Sequence, residues 1–188
     1  MSATHSLHST PSTNDLATLI DAVPNFHHRV LRQKLASVYR AIQRIARNHV
    51  VPLGVMDQLE RRFLAVADEL ETNLEEQECW LFAWLRRLVN RGPLTGQPSY
   101  LGENLVEVMY QAATANQETL HGIGQIQACL SHPDWIDRGP LVDELIDHLR
   151  ILDQGMTEYE LLEREELFPR VHELCQSWNN EGEVSHAS

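Results

Sequence analysis

Two stretches of this chain place paired polar side chains at a spacing that suits chemistry. One is Asn73-Leu-Glu-Glu-Gln77, the other Tyr159-Glu-Leu-Leu-Glu163, and each runs on into Leu-Phe, at Leu81-Phe82 and Leu167-Phe168. Residues four apart share one face of a helix, so two such helices can aim four side chains at one point. His-x-x-x-Glu at both places would supply a two-metal site inside a helical bundle. The residues present change that chemistry. Gln77 brings no charge and Asn73 is a poor iron ligand beside imidazole, whereas Tyr159 as phenolate and Glu163 as carboxylate are hard oxygen donors. The same side chains are also able to satisfy one another by hydrogen bonds with no metal.

The elements that must hold them are helices. Leu16, Leu19, Ile20 and Val23 recur at helical spacing, Pro24 ends or kinks that run, and Leu31, Leu35, Val38, Ile42 and Ile45 resume it. After the Asn48–Gly54 turn a second helix is expected from Val55 to about Val89. The Gly- and Pro-rich stretch 91–99 is the clearest loop. A third helix is expected from Gly102 to Leu130, and a fourth from Pro140, a good first-turn residue, to about Trp178. No strand-like alternation is present. The expected fold is all-α, an up-down-up-down four-helix bundle over residues 15–178, with a disordered lead-in at 1–14 and a flexible acidic tail at 179–188.

Composition narrows the partners. Fifteen Lys and Arg stand against 27 Asp and Glu, a formal charge of −12, which argues against nucleic acid or an anionic membrane surface. Cys79, Cys129 and Cys175 are widely spaced and read as free thiols of a cytoplasmic protein. The apolar runs are too short for a membrane span, and residues 1–15 lack the apolar stretch of a signal peptide. Trp80, Trp84, Trp135 and Trp178 read as packing residues.

The stretches Leu19-Ile-Asp21, Phe26-His27-His28 and Arg32-Gln-Lys-Leu35, with Glu69–Phe82 and Glu163-Arg-Glu-Glu-Leu-Phe-Pro-Arg170, resemble hemerythrin-like (HHE cation-binding) domains. The likeness is greatest to the proteins that repair iron–sulfur centres, and it covers roughly residues 16–176. It implies a bundle around a non-haem di-iron centre. The first helix gives a His, the second His-x-x-x-Glu, the third a His and the fourth His-x-x-x-Glu. Carried onto this chain, those positions fall on His28, on Asn73 and Gln77, near Ala113, and on Tyr159 and Glu163. His28 and Glu163 keep the family's residue types, and the other four have changed. Asn73, 45 residues after His28 across one turn, is expected at about its level. His49, a histidine that also matches the family, lies 21 residues beyond His28 on the same helix. That is roughly 30 Å at the helical rise. It reads as a helix C-terminal residue. His121 and His148 are weaker metal candidates, with His148 expected to point toward the core.

The expectation is therefore a degenerate hemerythrin-like bundle that is not an enzyme, holds no cofactor, and acts as a binding or regulatory protein. One alternative keeps a single iron or other divalent ion on His28, Tyr159 and Glu163, for iron handling, iron–sulfur repair or a response to nitric oxide or oxygen. A buried Glu163 without metal must pair, with His28 as imidazolium, or take up a proton. Another alternative is a regulatory module of anti-sigma type with a protein partner.

Overall fold

Four long helical rods make up the described residues. The computed structural model describes residues 13–91, 100–133, 135 and 139–185. The first rod is α1 (Thr13–Ala22), a widened π turn (Val23–His28) and α2 (Arg29–Arg47). The second is α3 (Leu53–Glu76), a π turn (Gln77–Leu81) and α4 (Phe82–Arg91). The third is α5 alone (Tyr100–Leu130). The fourth is α6 (Pro140–Leu162), a π turn (Glu163–Leu167) and α7 (Phe168–Ser185). The described residues contain no strand, and no helix among them is long and apolar enough to cross a membrane.

Each rod exists because it has a stripe to bury. Leu31, Leu35, Val38, Ile42 and Ile45 of the first rod meet Leu59, Phe63, Leu70 and Leu74 of the second and Leu145, Leu149, Leu152 and Met156 of the fourth in one continuous core. Ile123, Ile126 and Leu130 close it from α5, and Trp135 plugs the turn beyond. The first and fourth rods run in opposite directions: His28 meets Tyr159 while Arg44 meets Glu144, sixteen residues on along one rod and fifteen back along the other.

The widened turns explain where sequence spacing misleads. Pro24 neither ends nor isolates the first helix. It lacks the N–H for an α-type bond and its ring crowds the preceding turn, and the π turn accommodates both. The Asn25 amide then donates to the Asp21 carbonyl at 2.8 Å. In the other two π turns the amides of Phe82 and Phe168 reach back five residues, to the Gln77 and Glu163 carbonyls. Leu81 and Phe82 are both fully buried, and Leu167 is buried with Phe168 against the core, so the repeated Leu-Phe marks where each stripe changes phase.

The boundaries also differ from expectation. The second rod spans 53–91 and the third starts at Tyr100. The fourth continues through Ser185, so most of the expected tail is helical, while residues 186–188, like 1–12 of the lead-in, lie outside the described residues.

His49 ends the first rod in the left-handed region, at φ 51°. Its N–H bonds to the Ala46 carbonyl, and the Val50 N–H reaches the Ile45 carbonyl, the pairing of a Schellman cap. The expected role at the helix C-terminus is thus carried by its backbone.

Candidate functional site

The three π turns stand at one level of the bundle. The first ends on His28, the second begins on Gln77 and the third begins on Glu163, and these side chains enter the core together with Tyr159, one turn before Glu163. A π turn carries an extra residue, which rotates the next stretch of helix and aims a side chain that an unbroken helix would point elsewhere.

Five side chains close a ring. Asn116 of α5 donates to Glu163 Oε2 at 2.6 Å and accepts from Asn73 Nδ2 at 2.8 Å. Gln77 Nε2 donates to Asn73 Oδ1 at 3.2 Å, and Gln77 Oε1 lies against the Tyr159 hydroxyl. The ring is completed by Tyr159 Oη and Glu163 Oε1, 2.6 Å apart. All five side chains are buried.

Counting protons fixes the state of the carboxyl. Five contacts need five protons, and three amides and one phenol each place one in the ring. Only a protonated Glu163 supplies the fifth, whichever way round the amides are turned. An ionised Glu163 would accept from both Tyr159 and Asn116, and the Gln77–Tyr159 contact would be left as two oxygens with no hydrogen between them. Burial agrees, pushing Glu163 up from 4.5 to about 7 against the bonds that Tyr159 and Asn116 would give the anion. The Tyr159 phenol is raised well above its ordinary value, by burial first and then by the Glu163 charge.

A second chain of polar groups joins the ring to solvent. His28 Nε2 stands 3.1 Å from Tyr159 Oη, and its Nδ1 is 2.8 Å from Glu78 Oε1. Arg32 Nη1 donates to the same oxygen at 2.7 Å, and Arg32 Nε to Glu71 Oε2 at 2.8 Å. Glu78 is 32% exposed. Its own burial works against ionisation, but Arg32 and His28 overcome it and hold the carboxyl below its ordinary value. Burial in turn lowers His28, with Glu78 resisting. The ionised Glu78 fixes the hydrogen on Nδ1, which leaves Nε2 an acceptor beside a phenol whose one hydrogen is directed at Gln77, and at 3.1 Å it is the loosest of the three neighbours of Tyr159 Oη.

The structure brings His28, Asn73, Gln77, Tyr159 and Glu163 together, as the spacing predicts. It departs on the third helix. Asn116, not Ala113, enters the ring, and Ala113 is only half-buried. In sequence the Gly- and Pro-rich stretch before α5 hides the register of that helix, but Asn116 interrupts an apolar stripe and is legible on that ground. Glu78 and Arg32 are the other two residues missed. Glu78, not Asn73, stands directly beside His28, one turn further along the second rod than expected. His28 therefore pairs with Glu78, and Tyr159 separates it from Glu163. His121 is exposed and bonded to Gln125, and His148 sits at the rim, 3.7 Å from Glu144, not in the core. Among the described residues no three His, Cys, Asp or Glu side chains are grouped to hold a metal ion.

A pair of iron ions does not fit this donor set. Charge balance there calls for bridging carboxylates, and Glu163 is the ring's single carboxyl, needed as a proton donor. No family model, curated protein or solved structure matches the chain.

Proposed function

We propose that this chain is an up-down-up-down bundle of hemerythrin-like type whose ligand positions have been given over to a hydrogen-bonded ring, and that it serves as a non-catalytic binding or regulatory protein. The ring carries this reading. A buried ring in which each of the five contacts carries its own hydrogen has no carboxylate charge left to hold a metal ion, and it specifies one packing of the rods. Substitution by amides also removes the negative charge that iron would require.

A second reading keeps a single metal ion, and one observation favours it. His28 Nε2, Gln77 Oε1 and Glu163 Oε1 all converge on the Tyr159 oxygen. An ion taking up that point would have to displace two protons, one from a phenol held well above its ordinary value.

Elemental analysis of untagged protein and of Glu163→Ala decides between them. The proposal expects folded protein without stoichiometric metal and a melting temperature that ferrous iron does not raise, since any ion binding the native state must stabilise it. About one metal per chain, lost in Glu163→Ala, selects the second reading. About two would restore the chemistry that the resemblance implies and refute the proposal.

A further inference from the structure

The outer surface of the second and third rods carries a feature that the ring does not explain. Trp80 is 74% exposed and Tyr110 68% exposed, in a chain whose other described tryptophans, Trp84 and Trp135, pack on or in the core. The two are neighbours by register. Asn73 pairs with Asn116, and Val66 meets Gly122, so each step forward along α3 is one step back along α5. Trp80 therefore falls level with Val108 and Met109, within two residues of Tyr110.

They also share a side. A groove of about 620 Å³ runs between α3 and α5, with Arg62, Val66 and Glu69 on one wall and Thr114, Glu118 and His121 on the other. Helical steps of three and four carry the first wall from Glu69 to Glu76, with Trp80 following as an exposed residue of the next π turn, and the second from Thr114 to Tyr110 and Glu107. Val106, one turn before Tyr110, is exposed on the same side, so two apolar side chains stand uncovered there beside Glu107. An apolar helix face that the fold leaves uncovered is the mark of an interaction site.

Charge identifies what covers it. α5 contains Glu103, Glu107 and Glu118 and neither Lys nor Arg. Arg62 stands at one end of the groove and Arg87 lies beyond Trp80 at the other, while the charged residues between them on the two walls are Glu69, Glu76, Glu107 and Glu118. Glu69, Glu76 and Glu118 enter none of the ion pairs of the described residues, whereas Arg32, Arg44 and Arg86 on other faces are paired. From Glu69 to Trp80 the wall is about 17 Å long, three turns of a helix. A second copy of this face would set glutamate against glutamate.

We propose that the α3–α5 groove, with its extension to Trp80 and Tyr110, is the docking surface for a cationic amphipathic helix of a partner protein. The inference rests on the reading of the chain as a binding protein. Trp80 and Tyr110 are the aromatic anchors of a helix-in-groove contact, and the glutamates are its rim, steering and orienting Lys and Arg on the partner's flanks.

The test uses the full chain and a labelled synthetic helix of about 18 residues, Leu on one face and Lys on the other, followed by fluorescence anisotropy. Saturable one-to-one binding is expected, weakened at least about tenfold in the double variant Trp80→Ala/Tyr110→Ala and more modestly in Glu76→Gln/Glu118→Gln. Both aromatic side chains are largely in solvent, so the double variant should melt with the parent protein, which separates lost binding from lost fold. Undiminished binding by that variant would reduce the effect to diffuse attraction by an acidic protein and overturn the proposal, as would no binding at all. A dimer in sedimentation equilibrium that Tyr110→Ala dissolves would also overturn it, by giving the face to a second copy. Metal content judges the underlying reading separately: a metal-free protein with an inert groove loses only the docking surface.

Discussion

Glu163→Gln gives the most direct test of the proton count. An amide at 163 reproduces the neutral acid: its nitrogen donates to Tyr159 where the carboxyl proton does, and its oxygen accepts from Asn116. The wild-type carboxyl is raised from 4.5 to about 7, a difference of about 2.5 units. At about 1.4 kcal/mol per unit, this is roughly 3 kcal/mol. For an acid raised in the folded state, the stabilising contribution is complete below the unfolded value. It is lost as pH rises through the folded one. Wild type should therefore lose about 3 kcal/mol between pH 4.5 and 8 that the variant does not lose. The spare N–H of the amide costs about 1 kcal/mol at every pH, so the variant is slightly weaker at pH 4.5 and stronger above pH 7. Urea unfolding of both proteins at half-unit intervals from pH 4.5 to 9 measures this. Comparison with the variant cancels the titration of the exposed acids and of His28, which both chains share. Parallel profiles would refute the reasoning, because they would mean that Glu163 ionises in the folded protein as it does in the unfolded one.

Tyr159→Phe removes the ring's hub and leaves Gln77 Oε1 and Glu163 Oε1 facing an apolar edge; a loss of about 1–3 kcal/mol in urea unfolding is expected, the cost of buried groups without partners. His49→Gly should add about 0.5–1 kcal/mol, since glycine takes the left-handed cap without the strain of a Cβ, and a lower melting temperature would contradict the cap assignment. At Gly122 a Cβ would lie 2.5 Å from Val66 Cγ2, so Gly122→Ala should cost about 1–3 kcal/mol. Adding Val66→Ala should recover part of that, giving a double-mutant cycle that additive losses would rule out.

The fold is largely legible in the sequence because stripes such as Leu31, Leu35, Val38 and Ile42 leave a helix one face to bury. The phase of the rods at the site is not. Periodicity assumes a constant angle per residue, and the π turns at His28, Gln77 and Glu163 each break it. That slip, and the register between rods, puts Glu78 beside His28 and makes Asn116 the third-rod contributor. Asn116 can be found as the polar residue inside an apolar stripe. Glu78 cannot, because in sequence it is one more acid among Glu75, Glu76 and Glu78. Composition alone makes Trp80 a packing residue, and nothing in its neighbours in sequence shows that its helix turns it outward.

The polar residues at the site make sense only as a set. Asn73, Gln77 or Asn116 alone beside an ionised Glu163 would add donors without closing anything, and the buried anion would remain costly. With all three amides and Tyr159 in place, every ring atom has a partner once Glu163 holds its proton. The same closure restricts the site. Removing a ring proton by binding an ion, or breaking a contact by moving one rod, leaves at least two buried polar atoms unpaired. On the proposed reading the ring resists both metal uptake and sliding of the rods, and it makes the second rod a rigid support. Trp80 sits in the same π turn that begins on Gln77. A partner helix pressing on Trp80 would meet a turn whose inner side is tied to Tyr159 and Asn73, so the groove is held ready without needing to reorganise. Such preorganisation is where a contact of only three turns gains its affinity.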